Sequence, residues 1–301
     1  MIIIKKNNSL LFVGVLLICF TVSVLVRYQQ FETWKKTPAI YFVGERPLMT
    51  TLDAPYWIHQ AREYNEMNFG GGKVNLKDRS KHELSNMQAS TPVKFLDSSH
   101  STSKSLERSY RDVPLLSFLI AQLSPYLNHN YYLTGTIMVP ILASLFIIPI
   151  GFYFFIIGLP VSGLMGGLIG TFAGGYYMRT SIGRIDTDML NLFFPVLTAL
   201  LIMLASRAIT ERSVLLYSVG AGLSLFLFQW WYSRAGFTLA FFAVLVFSLF
   251  VQQIRFRTIL LSALLFVLCA QPTTFMSGTG AIQGFLKNYF VIEEVTSSVV
   301  I

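Results

Sequence analysis

Carboxylates are scarce where this chain is most apolar. Between Val113 and Ile292 there are three, Asp186, Asp188 and Glu211, in a sequence of 301 residues. Cysteine is scarcer still. Cys19 and Cys269 each lie inside an apolar run, which excludes a disulfide framework and any Cys-based zinc spacing. No Gly-rich phosphate loop and no GxSxG turn occurs, so P-loop nucleotide chemistry and serine-hydrolase chemistry have no footing. Charged residues are only 13% of the chain against 53% hydrophobic, and the mean hydropathy is +0.57. That balance excludes a soluble domain. Several apolar runs approach the ~20 residues a helix needs to cross a bilayer. The net charge of +8 is spread over polar loops, which fits phosphate-bearing partners and lipid headgroups and does not call for nucleic acid.

The order of runs predicts an all-α integral membrane protein. Residues 1–26 read as an uncleaved first spanning helix, because Lys5 and Lys6 precede the apolar run and no small-x-small site follows it. Residues 27–112 read as a long external loop holding 13 of the 23 Lys/Arg and 10 of the 15 Asp/Glu. Within it, Thr51 to Tyr64 reads as a short helix with Asp53 near its N-cap and Pro55 in the first turn. Tyr56, Trp57 and Tyr64 suit the headgroup level, and the composition from Gly70 to Ser105 predicts a mobile loop. Residues 113–271 form the transmembrane bundle. After a short Pro-flanked segment, spans are predicted near 131–157, 160–178, 187–206, 214–232, 236–253 and 256–271, roughly seven in all with the first. The 160–178 span carries Gly163, Gly166, Gly167, Gly170 and Gly174, a spacing that lets a neighbouring backbone approach closely. Residues 272–301 read as an external or re-entrant segment.

With the N-terminus in the cytoplasm, the arginines of 207–212 and 252–257 fall inside, as positive-inside asymmetry requires. Arg27, Arg179, Arg184 and Arg234 fall outside, against that trend, which marks them as candidates for meeting an anionic ligand. Asp53, Asp186 and Asp188 share that face. Two carboxylates at i and i+2 plus a third make an all-oxygen donor set suited to Mg²⁺ or Mn²⁺, and arginines beside it suit a phosphate or pyrophosphate. The bland reading of Asp186 and Asp188 is a helix cap, and ionisable groups at a membrane boundary point beyond it. Trp230, Trp231 and Tyr232 read equally as an interfacial belt or as a stacking surface for sugar.

Tyr176-Tyr177-x-Arg179-Thr180-x-x-Gly183-x-x-Asp186-Thr187-Asp188-Met189-Leu190, followed by Phe194-Pro195, resembles the second external-loop motif of the catalytic subunits of asparagine-linked oligosaccharyltransferases. Trp230-Trp231-Tyr232 is similar to that family's third-loop aromatic motif, and Asp53 resembles its first acidic residue. The resemblance implies a multi-helix C-type glycosyltransferase fold. It implies metal-dependent transfer of a preassembled glycan from a polyprenyl phosphate or pyrophosphate carrier to Asn of an acceptor polypeptide. It further implies Asp53, Asp186 and Asp188 as ligands of Mg²⁺ or Mn²⁺, and Arg179 close to the donor phosphates. Glu293 and Glu294 are candidates for the family's acceptor-contacting glutamate. The family's Trp-Trp-Asp-Tyr-Gly motif does not occur in the 301 residues. The chain is therefore expected to be a fragment or to depend on a partner chain for reading the acceptor. The expected location is a prokaryotic cell (inner) membrane with the active face external or periplasmic, ahead of an ER membrane. Alternatives from the residues are a glycosyltransferase moving a single sugar and a cation-binding membrane scaffold or transporter.

Overall fold

A computed structural model describes residues 6–66, 113–232 and 236–271. Helix α1, Lys6–Lys36, runs ten residues beyond the predicted end of the first span. The polar residues after Val26 do not stop it, because no proline or glycine intervenes before Pro38 and its inward face finds polar partners (below). A one-turn α2, Pro38–Tyr41, leads into a hairpin of β1, Phe42–Val43, and β2, Arg46–Pro47, paired antiparallel with Val43 opposite Arg46. Trp34 stacks on Tyr41 with ring centroids 5.0 Å apart, so this short stretch folds back onto the end of α1.

Helix α3, Ala54–Glu66, confirms the predicted short helix. Its Ala54, Ile58 and Ala61 recur at i, i+4 and i+7 and are all buried. They face α4, Leu115–Leu123, and the Ser117 hydroxyl donates to the Trp57 carbonyl at 2.8 Å. A 3₁₀ turn at Ser124–Leu127 ends this pair. Trp57 and Tyr64 therefore pack inward, while Tyr56 stays exposed.

The remaining helices are α5 Tyr131–Ser144, α6 Ile147–Ile156, α7 Pro160–Phe172, α8 Gly174–Arg179, α9 Phe193–Arg207, α10 Glu211–Trp231, α11 Phe237–Val251 and α12 Phe256–Cys269. Two predicted spans are interrupted. The 131–157 run tightens into a turn at Leu145–Phe146, just after Ser144, whose hydroxyl bonds back to the Pro140 carbonyl at 2.7 Å. The 160–178 run breaks at Ala173, which has ψ 126 ahead of Gly174-Gly175. Among the described residues four helices are long and apolar enough to cross a membrane: Ser9–Lys36, Tyr131–Ile156, Thr187–Arg207 and Glu211–Trp231. The predicted spans at 160–178, 236–253 and 256–271 appear as helices of 13, 15 and 14 residues. At 1.5 Å per residue each is roughly 20 Å long, short of the ~30 Å hydrocarbon thickness.

Close packing follows the glycine pattern on one face only. A Cβ added at Gly163 would lie 3.0 Å from the Gly151 carbonyl oxygen, and one at Gly167 would lie 3.2 Å from Ile147. Gly166 and Gly174 have open space around them. The stripe 163–167–170 thus seats α7 on α6, and the other glycines do not contribute.

The bundle has two polar ends. At one, Arg207 donates to the Ile156 carbonyl at 2.9 Å, and Arg255 lies 3.3 Å from Glu211. At the other, the indole nitrogens of Trp230 and Trp231 donate to the carbonyls of Val113 and Thr187, each at 2.7 Å. This second end gathers the hairpin, the start of α3 and residues 180–191.

Candidate active site

The site is built on the loop between α8 and α9. Arg179 closes α8, and Gly183 then turns the chain with φ 79. A side chain is excluded there, because a Cβ would sit 2.6 Å from the Trp34 ring and 2.7 Å from the Leu48 carbonyl oxygen. The Gly183 carbonyl accepts from Thr50 N–H at 3.1 Å, so the 48–53 segment is tied to this loop just before Asp53. The carbonyl of Asp53 accepts from Trp57 N–H at 3.2 Å in the first turn of α3, the position predicted from sequence.

Asp186 caps a 3₁₀ turn, Thr187–Leu190. One carboxylate oxygen accepts Thr187 N–H at 2.6 Å. The cap is real, yet it uses Oδ1 alone: both hydrogen bonds of the Asp186 side chain go to that atom. Burial pushes the Asp186 carboxyl above the ordinary carboxylate range. The Thr187 N–H opposes that shift, and the charges of Asp188 and Asp53 add to it. Asp186 thus feels charge from its own loop and from the loop of Asp53. Asp188 is held differently: Arg179 reaches one oxygen at 3.2 Å, and the Asn191 amide nitrogen reaches the other at 3.2 Å.

Tyr176 ties the two ends of the motif together. Its hydroxyl lies 2.8 Å from the Ala143 carbonyl oxygen and 3.1 Å from that of Met189.

Trp231 is 2% exposed, and its indole N–H is spent on the Thr187 carbonyl. It is a wall behind the Asp-Thr-Asp turn and presents no open face to a sugar. Trp230 is half-buried between Phe118 and Phe226, with its N–H on Val113. Tyr232 is half-buried beside them. Arg184 is half-buried, and its Nε has no partner. Arg27, expected on the external surface, is instead fully enclosed by the protein, a placement the sequence reading missed. Arg234, Glu293 and Glu294 lie outside the described residues.

As a metal site the donor set is chemically apt and geometrically open. Among the described residues, the second oxygen of Asp186 makes no hydrogen bond, and a buried oxygen of Asn191 is likewise without a partner. All are hard oxygen donors of the kind Mg²⁺ and Mn²⁺ take. Among the described residues, no three acidic, histidine or cysteine side chains are gathered closely enough to hold an ion.

Residues 114–298 match the family model described as oligosaccharyl transferase STT3, N-terminal. The chain belongs to the STT3 oligosaccharyl transferase family. A comparison with curated proteins finds no match. The STT3 family points to a membrane glycosyltransferase that acts in N-glycosylation on a lipid-linked glycan and an acceptor polypeptide. The match spans Arg179, Asp186, Asp188 and the Trp230–Tyr232 turn. Asp53, α1 and α3 precede it.

Proposed function

We propose that the loop from Arg179 to Asn191, closed by Asp53, is where a glycan leaves a polyprenyl phosphate or pyrophosphate carrier for the side-chain nitrogen of an acceptor Asn. The observation that carries this reading is the loop inside the STT3 match that bears Arg179, Asp186 and Asp188, with the segment leading to Asp53 tied to it through Thr50 N–H and the Gly183 carbonyl. In this reading Asp53, Asp186 and Asp188 hold Mg²⁺ or Mn²⁺. Such an ion draws charge from a departing phosphate. The chain's own groups do the rest. An amide nitrogen is a poor nucleophile, and the free oxygen of Asp186 with the exposed carboxylate of Asp53 can accept its hydrogens and orient it. Arg179 gives one nitrogen to Asp188 and keeps the rest of an exposed guanidinium for donor phosphate oxygens. Arg184, with a nitrogen unspent, is assigned the same role. Trp231 positions Thr187 and so the two aspartates that flank it. We place this end on the external face of a prokaryotic cell membrane, opposite the Arg207–Arg257 end. Glu293 and Glu294 remain the candidates for the acceptor.

The test is the Asp186→Asn, Asp188→Asn double variant. Asn caps a helical turn about as well as Asp, so folding is expected to persist. Mn²⁺ binding, followed by electron paramagnetic resonance on the purified chain, is expected to be lost. Transfer by a complete enzyme carrying this segment should fall at least ~tenfold. A double variant with unaltered Mn²⁺ binding and transfer would reduce the motif to a cap.

A further inference from the structure

We propose that the last turns of α1 are the positioning device for the Asp-Thr-Asp loop, with Arg27 as its anchor. Ser23, Arg27, Gln30 and Trp34 are spaced by four, three and four residues, which places them on one helix face. Every member of that stripe meets the α7–α8 segment or the loop that follows it. The Ser23 hydroxyl lies 2.7 Å from that of Ser144 and 2.8 Å from that of Thr171. One nitrogen of the Arg27 guanidinium donates to Ser23 Oγ and Thr171 Oγ1, both at 2.8 Å. The other donates to the Thr171 carbonyl at 2.7 Å and to Thr180 Oγ1 at 3.2 Å. Its plane also lies over the Tyr177 ring at 5.1 Å. Gln30 Oε1 accepts from Ile182 N–H at 3.1 Å, and the Trp34 ring fills the space over Gly183.

One helix face therefore fixes Thr180, Ile182 and Gly183, with Arg179 one residue before them and Asp186 three after. A buried guanidinium is costly near hydrocarbon. Arg27 is 0% exposed and pairs with no carboxylate among the described residues. Hydroxyls, two backbone carbonyls and aromatic faces carry its charge, which needs a fork of donors and not a point charge. The stripe also lies outside the region that matches STT3, so the matched loop is held by an unmatched helix. That the held loop is the reacting one rests on the function proposed above; that α1 holds it does not.

The test is limited trypsin cleavage of the full chain in lipid nanodiscs. Cleavage after Arg179 and Arg184 reports on the loop, and cleavage after Arg207 and Arg212 reports on the opposite end. Arg27→Met is expected to speed loop cleavage ~tenfold while leaving the opposite end unchanged, as a local release does. Arg27→Lys should fall between. Gln30→Leu, at a half-buried position, should act in the same direction and keeps the test open if Arg27→Met does not fold. In a complete enzyme the same variants should lower kcat and raise the donor KM together, because Arg179 and Arg184 ride on the released loop. Loop cleavage at the unmutated rate in Gln30→Leu and Arg27→Lys, or equal acceleration at both ends, would overturn the assignment. Absence of transfer from the unmutated enzyme would sink the proposed function and leave the protease comparison intact.

Discussion

Gly183→Ala probes the hinge on which the two acidic loops meet. The residue has φ 79, and a left-handed conformation costs an L-residue roughly 1–2 kcal/mol. The added methyl would also lie 2.6 Å from the Trp34 ring and 2.7 Å from the Leu48 carbonyl oxygen. Neither neighbour yields easily: the indole is stacked on Tyr41, and the carbonyl belongs to the backbone. Overpacking of that kind adds about 1–3 kcal/mol, so the total loss should be about 2–5 kcal/mol. Part of it can be relieved by lifting the loop off Thr50, which would carry Asp186 away from Asp53. Gly175→Ala is the control. It sits in α8 with nothing within 4 Å of the new methyl, and a helical Gly→Ala change is worth about 0.5–1 kcal/mol in favour of the fold. Thermal unfolding of the two variants, read beside Mn²⁺ binding, separates them. A Gly183→Ala protein as stable as Gly175→Ala, with Mn²⁺ affinity unchanged, would refute the docking of the two loops.

Asp186 has a folded-state pKa raised above its unfolded value, so its contribution to stability is fully present below ~4, the ordinary aspartate value, and is lost as pH rises through the folded pKa. In the metal-free chain, Asp186→Asn should therefore flatten the fall in melting temperature between acid and neutral pH and raise it at pH 7; a variant equal to the unmutated chain at both pH values would contradict this. Trp231→Phe keeps an aromatic ring but loses the indole N–H and part of the ring volume at a buried position. The orphaned Thr187 carbonyl alone should cost about 1–3 kcal/mol in chemical unfolding, with the vacated volume adding to it, and no loss would mean that the carbonyl finds another partner.

Much of the site was readable from local pattern. Asp186 stands at the start of a helical turn because aspartate caps, Asp53 stands just before α3, and the motif's order along the chain already set them on one face. What was not readable depends on partners far away in sequence. Val26-Arg27 looks like the polar end of a span, yet the two terminal nitrogens of Arg27 find partners 144 and 153 positions later, and the helix continues to Lys36. Trp230-Trp231-Tyr232 has the composition of a belt or a stacking surface. Only the placement of Val113 and Thr187 opposite the two indoles decides that Trp231 is a wall. The tightened turn after Ser144 and the break at Ala173 had local signals, Pro140 and Gly174-Gly175, that hydropathy alone overrides.

The separation between Arg27 and its partners has a consequence for biogenesis. A ribosome adding ~5–20 residues per second emits Thr171 and Thr180 several seconds or more after Arg27. Throughout that interval α1 carries an unsatisfied guanidinium, which must reach up to the headgroups and hold the helix at a provisional depth. Arrival of α7 and α8 offers the hydroxyls and the carbonyl that let the side chain turn inward. The first helix is thus seated late, and its final seating coincides with completion of the loop it supports.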